Sequence, residues 1–325
     1  MRTIEDYITL AKAAVAALTL PTQPEGLYEP IAYGLSNGGK LLRPALLLAS
    51  CEAVGGDAEK ALSQAAAIEM YHNFTLFHDD VMDRADLRRG KPTVCAKWDD
   101  NTAILSGDTL LTLAVEKVVE NVEPQKAVEL LRIFNRAAIE VYEGQQYDMM
   151  FENCDNVGIN DYVNMIRLKT SVLLGAACKI GAVMGNADSS RSQALYDFAM
   201  NLGVAFQLQD DMLDVYGDPK VFGKAIGGDI LNNKKTFLLI NAINLAEGDT
   251  KAELNSWLNA SHPFPGEKIA AITAIYDRLG VDRLCREAIA DYDSRARQSL
   301  QGSGLSDEAI AFFEAFAESL MGRKR

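Results

Sequence analysis

The sequence predicts an all-α fold. Ala and Leu are abundant and Ile and Glu numerous, while the 325 residues include only 9 prolines and 24 glycines, with 8% aromatics; this balance favours helix over a sandwich of short strands. Apolar residues recur at intervals of three and four rather than two. Turn-forming residues cut the chain into pieces of helical length. With 48% apolar and 24% charged residues, the composition is that of a globular protein, not a disordered or collagen-like one.

The N-terminal segment, residues 1–21, has apolar residues at helical spacing and carries Glu5 and Asp6 where an export signal needs basic charge, so a helix is expected rather than a leader. Breaks follow at Pro21-Thr22-Gln23-Pro24 and Gly55-Gly56-Asp57. Leu62, Ala66, Met70, Phe74 and Phe77 then form an apolar stripe, the face of a bundle helix. Arg89-Gly90-Lys91-Pro92 and residues 153–160 break the chain again. The most apolar run, Ser171 to Asn186, is interrupted by Lys179 and is too short to span a bilayer. Beyond the break at Gly185 to Ser190, Leu195, Phe198, Leu202, Ala205 and Leu208 form a second stripe. Breaks at 217–228, 262–266 and 302–304 divide the remainder. No low-complexity linker or internal repeat separates parts of the chain, so a single helical domain over 1–325 is expected.

A net charge of −13 and a pI near 4.8 argue against a nucleic-acid reader, which neutralises phosphates with clustered Lys and Arg. A phosphorylated ligand would need metal ions or a local basic patch. The five cysteines (Cys51, Cys95, Cys154, Cys178 and Cys285) are odd in number, widely spaced and without a CxxC pair. Free thiols in a reducing, cytoplasmic setting are expected, with no membrane span.

Chemistry concentrates in two acidic segments. In Tyr71-His72-Asn73-Phe74-Thr75-Leu76-Phe77-His78-Asp79-Asp80-Val81-Met82-Asp83, an apolar helical stretch turns abruptly acidic. On a helix, Asp79 and Asp83 share one face, with Thr75 and His72 on nearly the same line. The segment from Gly203 to Asp214 repeats the DDxxD pattern and places Gln207, Asp210 and Asp214 on one face. A single copy is equally a solvated helix end. Two copies on apolar flanks point to hard divalent cations, which take oxygen ligands and bridge carboxylate to phosphate.

Short basic islands stand out in this acidic chain: Gly38 to Pro44, Leu87 to Thr93, and Gly223 to Asp229 followed by Lys234-Lys235-Thr236. Their glycines allow backbone to approach an anion. Each alone is a plain surface charge cluster.

Together these residues resemble the polyprenyl synthetase family, the trans-isoprenyl diphosphate synthases. The resemblance rests on GGKxLRP at Gly38 to Pro44, DDxxD at Asp79 to Asp83, RRGxPT at Arg88 to Thr93, Lys169-Thr170, FQxxDDxxD at Phe206 to Asp214, and the GK and GxD elements beyond it. It implies an isoprenoid synthase-type helical bundle around a central cavity, and a homodimer. It implies that Asp79, Asp83 and Asp210, supported by Asp80, Asp211 and Asp214, bind three Mg2+ ions, for which Mn2+ can substitute. These ions grip an allylic diphosphate alongside Arg88, Lys169, Gln207, Lys224 and Lys234. Isopentenyl diphosphate would sit on Gly39, Lys40, Arg43, His72, Arg89 and Phe206; guanidinium groups suit this, since they meet phosphate oxygens in bidentate geometry. The C-terminal Arg323-Lys324-Arg325 either folds over that diphosphate or is a loose tail.

By the same resemblance, Thr170, the Lys169 carbonyl and Gln207 face an allylic carbocation with oxygen dipoles. Product length is set by Phe74 and Thr75, five and four residues before Asp79, with Tyr71 eight before. This pattern resembles geranylgeranyl diphosphate synthases, and Tyr71 would shorten the product to farnesyl diphosphate. Leu41 and Cys95 depart from the family pattern, which often has a basic residue and His there. His78 is expected to pack and donate to a backbone carbonyl rather than act as acid or base. Trp98 and Trp257 read as packing residues. Tyr142, Gln145, Gln146 and Asp148 resemble a cavity-lining element of the family. The rival readings are a class I terpene cyclase of the same fold and a non-catalytic partner subunit; the intact second DDxxD weighs against both.

Overall fold

A computed structural model describes residues 1–154, 156–217, 226–260 and 264–322. Lys224 and Arg323-Lys324-Arg325 lie outside the described residues. The chain forms two compact units, each assembled from separate stretches: Met1–Ala137 with Leu173–Tyr196 and Gly302–Phe312, and Ala138–Val172 with Asp197–Gln301 and Phe313–Arg325.

In the first unit, α1 (Ile4–Ala16) opens with a reciprocal cap: Thr3 Oγ1 accepts from the Asp6 amide while Asp6 accepts from the Thr3 amide, satisfying two orphan donors. α2 (Glu25–Ser36) and α3 (Leu42–Ala53) follow; every residue of α3 from Pro44 to Cys51 is buried. α4 (Leu62–Met82) packs along α1, α3 and α5 (Asp100–Val118). The expected stripe understates α4, because Gln64 to Tyr71 are buried without a break; a helix covered on all sides loses its polar face.

Small residues decide how closely these helices approach. A Cβ on Gly34 of α2 would stand 2.2 Å from the Phe77 ring, and one on Gly181 of α8 (Val172–Met184) would stand 2.0 Å from the Leu47 carbonyl oxygen of α3. Between α4 and α5 lies one departure from helix, a hairpin pairing Leu87 with Pro92 and Arg88 with Lys91. Arg89 and Gly90 turn it with φ of 54° and 76°, the left-handed pair that a two-residue hairpin loop demands.

α6 (Pro124–Glu152) passes from the first unit into the second at Ala138. The second unit continues with α7 (Ile159–Ile166) and a wide π-turn at Arg167–Ser171 that runs directly into α8. α9 (Ser189–Tyr216) enters this unit at Asp197, and all five residues of its expected stripe are buried. α10 (Phe237–Leu245), α11 (Gly248–Leu258), α12 (Pro265–Leu279) and α13 (Val281–Leu300) close the unit with the end of α14 (Asp307–Met321). Its core gathers Tyr162, Leu208, Leu238, Ile275, Tyr276 and Cys285, with Trp257 against it. The five cysteines are free thiols. No described helix is long and apolar enough to cross a membrane.

The α3–α8 approach is directly testable. Gly181→Ala pushes a methyl into backbone, so denaturant unfolding should show a loss of about 3 kcal/mol, the upper end for overpacking a core.

Candidate active site

The first DDxxD lies where α4 ends. Met82 is its last residue and Asp83 caps it, the Asp83 amide donating to the Asp79 carbonyl at 2.8 Å. Asp79 and Asp83 stand one turn apart on one side, half-buried and exposed respectively, at the negative end of a helix whose last turn holds no basic residue. Two carboxylates beside the negative pole of the helix dipole call for a cation.

Asp80 has a different job. It is 4% exposed and receives Arg88 from the hairpin through Nε at 2.8 Å and Nη2 at 2.7 Å. Burial raises its pKa and the Arg88 contact opposes that rise. Arg88, expected at an allylic diphosphate, is therefore engaged with Asp80 here.

A cationic cluster occupies the same unit. Arg43 Nη1 lies 3.3 Å from His72 Nε2, and the Arg89 guanidinium lies over Gly39, 3.0 Å from where a Cβ would be. Burial, with the charges of Arg43, Arg89 and Arg88, holds His72 well below the usual histidine range, so a neutral imidazole accepts from Arg43. Arg43 Nε is buried without a hydrogen-bond partner. Glu69 answers these charges from one turn away. It is 4% exposed and accepts from Asn73 at 3.1 Å. Burial pushes its carboxyl up to about 6, against the pull of Arg43 and Arg89. Lys40 is exposed beside this cluster.

Backbone strain marks the same segments. Leu41, Arg84 and Arg89 hold left-handed backbone, with φ of 50°, 52° and 54°, a conformation that side chains disfavour and that gathers at functional sites.

Within the second unit, Gln207, Asp210 and Asp214 share a face of α9, as the spacing predicts. Asp211 is turned into the core, 4% exposed, where the Tyr162 hydroxyl donates to Oδ2 and Gln207 Nε2 to Oδ1 at 3.4 Å. Burial pushes Asp211 up to about 7, with Tyr162 opposing and Asp229 adding to the rise. Gln207 Oε1 accepts in turn from Thr170 Oγ1 at 3.3 Å. Thr170 and Lys169 stand on the π-turn, a feature frequent at functional sites. Only a glycine lets α6 lie against that turn: a Cβ on Gly144 would stand 2.3 Å from the Lys169 amide nitrogen. Lys169 Nζ donates to Asp148 at 2.6 Å. Asp214 accepts from the Asp229 amide at 3.0 Å, and Lys234 stands 4.0 Å from the Asp229 carboxylate. Phe206 is half-buried on α9.

The residues expected to set product length cluster in the first unit. Tyr71 packs on Phe74 and Phe134, with ring centroids at 5.5 and 5.2 Å, and Thr75 Oγ1 donates to the His72 carbonyl at 2.8 Å. His78 Nε2 lies 3.0 Å from the Ile104 carbonyl oxygen, the packing role expected of it.

The profile of the polyprenyl synthetase family matches residues 24–277. The chain belongs to the polyprenyl synthetase family. As such it is a prenyltransferase. It is 44% identical over 232 residues, 71% of each chain, to a geranylgeranyl diphosphate synthase of Methanosarcina mazei. It is 35% identical over 97% of each chain to a short chain isoprenyl diphosphate synthase of Methanothermobacter thermautotrophicus. Among solved structures, a geranylgeranyl pyrophosphate synthase superposes with a TM-score of 0.94 over the whole of both chains, at 42% identity.

For a polyprenyl synthetase, the donor set at both motifs fits Mg2+: carboxylate oxygens, which hard cations prefer. Among the described residues, no group of three or more His, Cys, Asp or Glu could by itself hold a metal. Sequence reading missed Glu69 and Tyr162. Glu69 could have been found as the one acid inside the apolar run from Leu62 to Phe77; nothing local marks Tyr162, whose partner is 49 residues away.

Two outcomes follow from these carboxylates. Tyr162→Phe leaves a buried Asp211 oxygen unpartnered, and unfolding should show a loss of about 1–3 kcal/mol. Glu69 holds its proton up to about 6 when folded, above the unfolded value of about 4.3. Its contribution is therefore full at low pH and lost as pH rises through 6. Thermal melts from pH 4.5 to 7.5 should show wild type losing ground to Glu69→Gln as pH rises.

Proposed function

We propose that this prenyltransferase condenses isopentenyl diphosphate with an allylic diphosphate (dimethylallyl, geranyl or farnesyl) and releases pyrophosphate and geranylgeranyl or farnesyl diphosphate. The observation that carries this reading is the cluster of Gly39, Arg43, His72 and Arg89, where a chain of net charge −13 crowds guanidinium groups around a buried, unpartnered Arg43 Nε. An anion meets that donor and offsets the repulsion. A one-substrate cyclase needs one diphosphate site, which the aspartate motifs already serve; the cluster serves a second.

In this reading Asp79, Asp83 and Asp210 hold Mg2+ for the allylic diphosphate, with Asp80, Asp211 and Asp214 supporting them. Arg88, Lys169, Lys224 and Lys234 would meet its phosphate oxygens, Arg88 and Lys169 in exchange for the Asp80 and Asp148 carboxylates they engage here. When bound, Mg2+ supplies positive charge against which pyrophosphate leaves. Thr170, the Lys169 carbonyl and Gln207 turn oxygen dipoles to the allylic cation as the carbon–oxygen bond breaks. The isopentenyl double bond attacks that carbon, a new carbon–carbon bond forms and the positive charge passes to the isopentenyl unit; the departing pyrophosphate then takes a proton from the carbon next to that charge, and the C–H electron pair restores a double bond. Lys40 and Phe206 complete the isopentenyl site. Mn2+ would substitute for Mg2+, and the enzyme would work as a homodimer. Phe74, with Thr75 and Tyr71, ends chain growth by blocking the path of the lengthening chain.

Purified protein with Mg2+, isopentenyl diphosphate and each allylic primer, analysed by mass spectrometry, tests this. Wild type should stop at geranylgeranyl or farnesyl diphosphate, and Phe74→Ala should make longer chains. Failure to add an isopentenyl unit to any primer overturns the reading and brings the cyclase and partner-subunit readings forward.

A further inference from the structure

A residue that stops chain growth must keep its ring in one place, and a Phe on a helix has more than one rotamer open to it. Among its neighbours, Tyr71 and His78 brace Phe74. One turn before it, Tyr71 packs at 5.5 Å and is itself braced edge-on by Phe134. One turn after it, the His78 imidazole meets it edge to face, with centroids 4.7 Å apart and planes at 68°.

The imidazole is in turn keyed to α5. Its Nε2–H donates to the Ile104 carbonyl at 3.0 Å, and Asp108 Oδ1 lies 3.6 Å from the same nitrogen. Three residues beyond Ile104, Gly107 leaves room for the ring: a Cβ there would stand 2.5 Å from His78 Nε2 and 3.5 Å from Phe74 Cδ2. Gly107 is helical and buried, so it serves here through missing volume, although glycine inside a helix is destabilising relative to alanine. His78 follows Phe74 by four residues and so shares its face, while Asp79 points about 100° away.

We propose that the His78–Gly107 seat fixes the Phe74 ring and thereby limits the number of isopentenyl units added. His78 and Gly107 are positioning residues for product length, acting through Phe74 rather than through the aspartates. This rests on the synthase reading above.

The test is product analysis of His78→Ala and Gly107→Ala with isopentenyl diphosphate and farnesyl diphosphate. His78→Ala removes the contact. Gly107→Ala keeps every atom of the seat but drives the imidazole off Ile104. In both, the ratio of the next longer product to the wild-type product should rise about tenfold, the discrimination that small changes in an apolar pocket carry. In the Phe74→Ala background, His78→Ala should change the product spectrum no further.

A His78→Ala that loses activity or stability with product length unchanged has a merely structural role and overturns the proposal, as does further lengthening in the double variant. Should His78→Ala not fold, Gly107→Ala decides alone, its unchanged product spectrum overturning the proposal. A wild type that adds no isopentenyl unit overturns the synthase reading and this inference with it, whereas a wild type with a discrete product and unaltered variants overturns the inference only.

Discussion

Like charge crowded onto apolar helices is the constraint around which this structure is arranged. Each DDxxD motif places three carboxylates within five residues at the end of a helix whose preceding turns are largely buried, and each resolves the conflict in the same way. The second aspartate turns inward to a partner from another element: Asp80 to Arg88 on the hairpin, Asp211 to Tyr162 on α7. The first and last aspartates are left on one face, one turn apart. In each motif one carboxylate thus anchors the segment to another element, and the other two share a face of the helix, Asp214 there accepting from the Asp229 amide.

The anchors also position what surrounds them. The Arg88 contact ties the hairpin to α4, and the turn of that hairpin carries Arg89 to Gly39. Asp211 holds Gln207, which receives Thr170 from the π-turn. Glycines set the approach distances, with Gly144 against the π-turn and Gly107 against His78. Side chains assigned to the reaction are thereby fixed by contacts between separate elements, as preorganised electrostatic catalysis requires.

The cationic cluster shows the converse balance. Arg43 and Arg89 are kept together by a buried Glu69 whose ionisation is itself resisted by burial. Neither sign of charge is fully satisfied within the protein. Arg43 Nε is left buried without a hydrogen-bond partner, and in the proposed reading a diphosphate would supply it, which is why that reading rests on this cluster more than on the aspartates.

The sequence by itself determined the helical class, the breaks between helices, the two aspartate faces and the basic segments, because these depend on local periodicity and on residues three or four apart. The stripe from Leu195 to Leu208 and the face of Asp210 and Asp214 are legible for that reason. Tertiary structure decided what each charge meets. That Arg88 engages Asp80, that Lys169 engages Asp148, that Glu69 stands among arginines and Tyr162 against Asp211, and that Gly107 makes room for His78 all depend on elements brought together in space. Distances along the chain carry no trace of such pairings, since burial and hydrogen bonding act between helices that the sequence keeps apart.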